Sequence, residues 1–208
     1  YFSAVDVLTG KPEGPGRFVR KLDSVTLEGA LLASSQKLIS PQGRVAPLLF
    51  NRSDGAPLGG LEGGGGCFVL LTDDARVLHG PGNKTGWIQE SSEKDRSKLA
   101  TFNGGNALIV HGETAYLLTD TALTALERAT RKDIWQRAVD APLALILAGE
   151  VLYTGGTDKV IAFSASDGQR LWQSEVAGKA YGLAVADGLI RDIEEPVGKR
   201  HVAGIHAH

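Results

Sequence analysis

Ala125-Leu126-Glu127-Arg128-Ala129-Thr130-Arg131-Lys132-Asp133-Ile134-Trp135 returns without a gap as Ala162-Phe163-Ser164-Ala165-Ser166-Asp167-Gly168-Gln169-Arg170-Leu171-Trp172. Both stretches end in Trp. A weaker copy opens the chain as Ala4-Val5-Asp6-Val7-Leu8-Thr9-Gly10-Lys11. Another stands at Leu49-Phe50-Asn51-Arg52-Ser53-Asp54-Gly55. Self-similarity at a spacing of roughly 37–39 residues is the mark of one supersecondary unit stacked several times.

A second frame runs in phase with the first. Its copies are Leu31–Ile39, Leu70–Leu78, Leu108–Tyr116, Leu145–Tyr153 and Leu183–Arg191. Each places Gly, Asp, Ser or Gln between two short apolar segments, which reads as a hairpin with turn residues between strands. Asp-Gly and Gly-Glu pairs supply the tight turns. Each unit therefore reads as strand, turn, strand, then a third strand into the Asp/Thr-Gly turn, and a fourth carrying the Trp. Four short strands per repeat is the period of a propeller blade. A β-sandwich has no reason to repeat its turn chemistry at fixed spacing. The expected fold is all-β: a β-propeller or partial propeller of about five four-stranded blades of about 38 residues each. The expected boundaries are 1–190 for the repeats and 191–208 for an irregular tail. Arg191–Pro196 is charged and ends in Pro, and Val197–His208 fits no blade.

Composition limits the function classes. A chain of 208 residues can bury one sizeable core. Its 27 Gly and 8 Pro suit a turn-rich fold. The formal net charge of −2 gives no basic surface for nucleic acid or for anionic lipid. The longest apolar stretch, near Ala141–Ala148, is too short to span a bilayer. Cys67 is the only cysteine, which excludes an internal disulfide. The chain begins at Tyr1 inside a repeat frame, so it reads as a fragment or processed form. Open blade edges would then leave it prone to self-association.

The pattern Ala-x-(Asp)-x-x-(Thr/Asp)-Gly-x-x-x-Trp resembles the PQQ-like β-propeller repeat with its tryptophan-docking motif. Ala162 to Trp172 carries it nearly in full, and Ala125 to Trp135 carries it with Arg131 in place of Gly. The stretch Leu27–Leu189 looks like the C-terminal part of bacterial PQQ-binding-like repeat proteins. The resemblance implies that Trp135 and Trp172 are buried docking residues between blades. Gly14 and Gly59 stand at the matching positions of earlier copies, which implies that docking is absent there. Family propellers commonly have seven or eight blades. The resemblance also implies a periplasmic or secreted location. Quinoprotein dehydrogenases of this kind hold PQQ with a vicinal Cys-Cys disulfide, a stacking Trp and a Ca²⁺ site. One cysteine cannot supply the disulfide, so no cofactor and no metal are expected.

Local motifs are weaker signals. Gly80-Pro81-Gly82-Asn83-Lys84-Thr85-Gly86 has Asn rather than Gly before Lys and strand-like flanks, which argues against a phosphate loop. His79, Asn83, Lys84 and Trp87 still gather a titratable ring, an amide, a cation and an aromatic in one stretch. They are the expected ligand-binding group, on a loop that replaces the docking motif of its blade. Gly63–Gly66 reads as a flexible connection between blades. Candidate catalytic groups are His79, Asp73, Asp74 and Glu113, with Asp120 and His111 beside them in kind. Asp at turns is also ordinary turn chemistry. The expected function is a non-catalytic binding scaffold within a larger envelope or secreted protein. Its partner would be a protein or a small-molecule or glycan ligand. The alternative is a hydrolase of glycans or esters with its site on the loop face.

Overall fold

The computed structural model describes residues 1–23, 25–66, 68–80, 86–186, 189–192 and 205–206. The described residues contain strands and turns and no helix. Among the described residues, no helix is long and apolar enough to cross a membrane. The chain divides into two compact units, Tyr1–Asn103 and Gly104–His208.

The first unit opens with a two-stranded sheet of β1 (Phe2–Ala4) and β2 (Phe18–Arg20). A four-stranded sheet follows, ordered β3 (Leu32–Ala33), β4 (Lys37–Ser40), β5 (Leu48–Asn51) and β6 (Pro57–Gly60). Next come β7 (Phe68–Leu71), β8 (Arg76–Gly80), β9 (Trp87–Ser92) and β10 (Lys98–Asn103). The second unit holds β11 (Ala107–His111), β12 (Thr114–Leu118), β13 (Ala122–Glu127) and β14 (Asp133–Ala138) as one sheet. The next sheet is β15 (Ala144–Ala148), β16 (Val151–Gly155), β17 (Thr157–Ser164) and β18 (Arg170–Lys179). A three-stranded sheet of β19 (Leu183–Ala186), β20 (Leu189–Asp192) and β21 (Ile205–His206) closes the chain.

All pairings within these sheets are antiparallel between strands adjacent in sequence, apart from the longer steps into β2 and β21. This is the four-stranded meander of a propeller blade. The expected blade is complete four times, flanked by a shorter sheet on each side. Within the expected 191–208 tail, Ile205 pairs with Ile190, and His206 pairs with Leu189. Most of that tail lies outside the described residues.

Burial follows strand position. The second and third strands of the blades are buried along most of their length, and apolar except in β9: Val77, Leu78, Leu118, Leu123, Leu152 and Ile161 are almost fully buried. The fourth strands bury far fewer side chains; along β14 only Trp135 is buried. Both faces of the middle strands are covered, so outside β9 their sequences run apolar rather than alternating. The outer strands carry Ile134 and Leu171 exposed.

One turn joins the third to the fourth strand in five places. The amides of Gly10, Gly55, Arg96, Arg131 and Gly168 donate to the carbonyls of Asp6, Asn51, Ser92, Glu127 and Ser164, at 2.7–3.0 Å. The amides of those same five acceptor residues donate to Lys11, Ala56, Ser97, Lys132 and Gln169. The residue at the tight position has φ between +58° and +72° in all five. Side chains finish the loops: Asp6, Asn51, Asp95 and Asp167 accept amides two residues on. Hydrogen bonds from Ser97 and Ser92 hold the Asp95 carboxyl down to about 2.

This geometry uncovers a fifth frame, Glu90–Ala100, which has neither the Gly nor the Trp of the others. The third-to-fourth turn of its blade is Ser92–Ser97. The Gly80–Gly86 segment instead joins the second strand to the third. It therefore does not replace the docking motif, contrary to the reading from sequence.

Strand register lines up the docking positions. Ala125 pairs with Trp135, and Ala162 with Trp172, each followed by a bulge. Leu49 pairs with Gly59, and Glu90 with Ala100. Ala4 pairs with Phe18. The docking position of the first copy is thus Phe18 rather than Gly14, because the loop before β2 is longer than the other turns.

Candidate functional site

Trp135 is buried, and its indole N–H donates to the Ala165 carbonyl of the next blade at 3.1 Å. Its ring covers the turn of that blade so closely that a Cβ at Gly168 would lie 2.5 Å from it. Two residues along β14, Arg137 donates to the Asp167 carbonyl at 2.7 Å. The first unit repeats the arrangement. Phe18 is packed with Phe2, Leu38 and Phe50, and a Cβ at Gly55 would lie 2.3 Å from its ring. Arg20, two residues on, donates to the Asp54 carbonyl at 2.8 Å. A large ring on one blade therefore faces a glycine in the turn of the next.

At Gly59 the sizes are exchanged. There Arg96, from the turn of the following blade, reaches back and donates to the Leu58 carbonyl at 2.7 Å. Its guanidinium occupies the space that a Cβ on Gly59 would need. Trp172 is partly buried, against Tyr153, Ala162, Leu183 and Val185, with ring centroids 5.8 Å from Tyr153. The resemblance implied full burial for it.

The expected ligand group divides. Asn83 and Lys84 lie outside the described residues. His79 ends up inside the sheet pair, fully buried on β8 opposite Gln89 of β9. Trp87 is half-buried, edge-on to His79 with centroids 6.1 Å apart. The His79 Nε2 lies 3.5 Å from the Ser91 Oγ, the outer limit of a hydrogen bond. Ser91 Oγ accepts from Gln89 Nε2 at 3.1 Å, and Gln89 also donates to the Glu62 carbonyl. Residues 87, 89 and 91 share one face by strand alternation, and His79 joins that face through its register. Desolvation pushes the His79 imidazole down to about 4, partly offset by the Gly64 backbone. It is neutral at physiological pH.

Against this face lies the glycine run. A Cβ at Gly63 would meet the Gln89 amide at 2.3 Å, one at Gly64 the Trp87 ring at 2.6 Å, and one at Gly65 the Gly43 carbonyl at 2.2 Å. Gly64 also bridges to Val45. Glycine is needed here for close approach, not for flexibility, which corrects the reading of Gly63–Gly66 as a loose connection.

The catalytic candidates are not brought together among the described residues. His79 and Ser91 resemble a base and a nucleophile, but both are closed to solvent. No described carboxylate orients His79. Asp73 and Asp74 sit on the exposed β7–β8 turn, and Asp74 pairs with Arg76 at 2.9 Å. At about 3.3 Å per residue, the strand carries His79 roughly 16 Å from that turn. Glu113 and His111 are exposed at the β11–β12 turn in the second unit, and Asp120 accepts from Asn106 at 2.8 Å. No cluster of three His, Cys, Asp or Glu with metal-binding geometry is present among the described residues.

Comparison with known proteins gives the same architecture. Residues 119–205 match the family model described as outer membrane protein assembly factor BamB. BamB from Moraxella catarrhalis superposes with a TM-score of 0.67 at 17% identity, over 98% of this chain and 70% of that one. The chain has the β-propeller repeat fold, and its residues 119–205 resemble the PQQ-like repeat in sequence. The computationally designed Ika8 protein is similar too, with a TM-score of 0.63 and 16% identity over 78% of this chain. The chain spans about half of that designed protein, 54% of its length. No curated protein matches it in sequence.

Gln89, Ser91 and Phe18 escaped the reading from sequence. For Gln89 and Ser91 the available signal was a polar stretch, Gln89-Glu90-Ser91-Ser92, at a third-strand position where other blades are apolar. For Phe18 it was an aromatic followed two residues later by Arg, the spacing of Trp135 and Arg137.

Proposed function

We propose that this chain is a non-catalytic, protein-binding scaffold that works outside the cytoplasm as part of a cell-envelope assembly. The observation that carries this reading is the fate of the titratable groups. His79 is spent inside the blade interface, and the exposed carboxylates stand on turns without a described base or metal cluster beside them. What the molecule offers instead is a series of rigid sheets presenting turns and outer strands with exposed Leu58, Leu99, Ile134 and Leu171. Rigid sheets that present loops are a common platform for binding. The match of residues 119–205 to an outer membrane assembly factor supports a protein partner and an envelope location.

The test pairs two measurements on purified chain. A panel of ester, phosphoester and glycoside substrates is run with wild type and His79→Ala. No turnover above buffer is expected for either. In parallel, a photo-crosslinking residue is placed at Ile134 and at Leu171 in the native host envelope. A discrete adduct with an envelope protein is expected. Turnover abolished by a single Asp, Glu or His change would replace this reading with the hydrolase.

A further inference from the structure

We propose that the groove between the β3–β4 and β7–β8 turns is a receptor for a cationic side chain, arginine or lysine, of a protein partner. This rests on the scaffold reading and names the chemistry of one contact. The groove has a volume of about 270 Å³ and is lined by Ser34, Ser35, Leu71, Thr72, Asp73, Ala75 and Glu93. Clefts that enclose drug-sized ligands begin near ~300 Å³, so this one suits a single side chain.

Its wall is anionic and hydroxyl-rich. Glu93 is buried, and its carboxylate accepts from Ser34 Oγ. Asp73 is exposed at the mouth. Neither carboxylate has an ion pair among the described residues. The neighbouring cations are directed elsewhere. Lys37 Nζ donates to the backbone carbonyls of Glu93 and Lys94. Arg76 is held by Asp74 at 2.9 Å and Glu90 at 3.3 Å. Arg52 donates to the Ser34 carbonyl at 2.8 Å. A guanidinium or ammonium entering the groove would make charge-assisted hydrogen bonds to these carboxylates.

The turn itself does not require the carboxylate. The Glu93 amide donates to the Ala75 carbonyl, and the same bond is made by Arg52 to Gln36, Arg128 to Glu113 and Ala165 to Glu150. That frame position therefore accepts Arg or Ala equally well, and Glu is present in one blade. There it faces two hydroxyl-bearing turns.

The test uses the whole chain and small probes, so it does not depend on finding the partner. N-acetyl-arginine amide and N-acetyl-lysine amide are titrated while backbone amide resonances are followed. N-acetyl-citrulline amide serves as the neutral isostere. Saturable shifts are expected at Ser34–Lys37, Thr72–Arg76 and Glu93–Arg96 with the cations, and none with citrulline. Asp73→Asn, an exposed change that leaves the fold intact, should weaken binding by about threefold, the scale of an exposed ion pair. Glu93→Gln should weaken it by about tenfold or more, as expected for a buried charged partner. Absent shifts, equal binding of citrulline, or unchanged affinity in both variants would overturn the proposal. None of these outcomes touches the envelope crosslinks, which test the scaffold reading separately.

Discussion

Residues at equivalent frame positions carry unequal weight. Trp135 is closed off by the next turn and hydrogen-bonded to Ala165, whereas Trp172 keeps part of its ring in solvent. Truncating a buried aromatic costs about 3–5 kcal/mol, and a half-exposed one less. Equilibrium denaturation should rank Trp135→Ala well below Trp172→Ala, and an equal loss would contradict the burial difference. His79 gives a pH signature. Its folded pKa of about 4 lies below the ordinary value of 6.5, so the unfolded chain binds the extra proton between them. Stability contributed by neutral His79 is full above pH 6.5 and declines as pH falls toward 4, by on the order of 3 kcal/mol in all. Between pH 7 and pH 5, the midpoint should fall in wild type and flatten in His79→Gln. A variant that keeps the wild-type slope would remove His79 from this account.

At the scale of the element, the third-to-fourth turn is the conserved object within the chain, more than any one side chain. Four of its five copies could be found from Asp, Thr and Gly at fixed offsets. The fifth was hidden because it lacks both the Gly and the Trp: Ala100 holds the docking position and Arg96 the left-handed position. Arg131 does the same with φ of +58°. L-residues pay about 1–2 kcal/mol in that region, so Arg131→Gly should raise stability by about 0.5–1 kcal/mol once the added chain entropy is counted. Gly168→Ala should act in the opposite direction, losing about 2–4 kcal/mol, because a Cβ there meets both the left-handed backbone and the Trp135 ring. Thermal melts of the two variants should move to opposite sides of wild type. The strands themselves were legible because apolar runs and turn residues alternate in phase. The docking of Phe18 was not, since a longer loop shifts it four residues past the position that spacing alone assigns. Burial of His79, likewise, depends on which face of β8 meets Gly63–Gly65, a packing fact that no local pattern encodes.

For the molecule as a whole, fold and activity separate. Repeats that fix their blades through shared turns leave the surface chemistry free to vary, so the propeller architecture sets no reaction. What the architecture does require, within each unit, is that one blade hold the next. A ring placed on a turn glycine does this: Trp135 on Gly168, and Phe18 on Gly55. The most direct measurement is guanidinium denaturation of Phe18→Ala beside Trp135→Ala. Both should lower stability by about 3–5 kcal/mol. A Phe18→Ala protein that unfolds like wild type would contradict the assignment of Phe18 as the docking residue of the first blade.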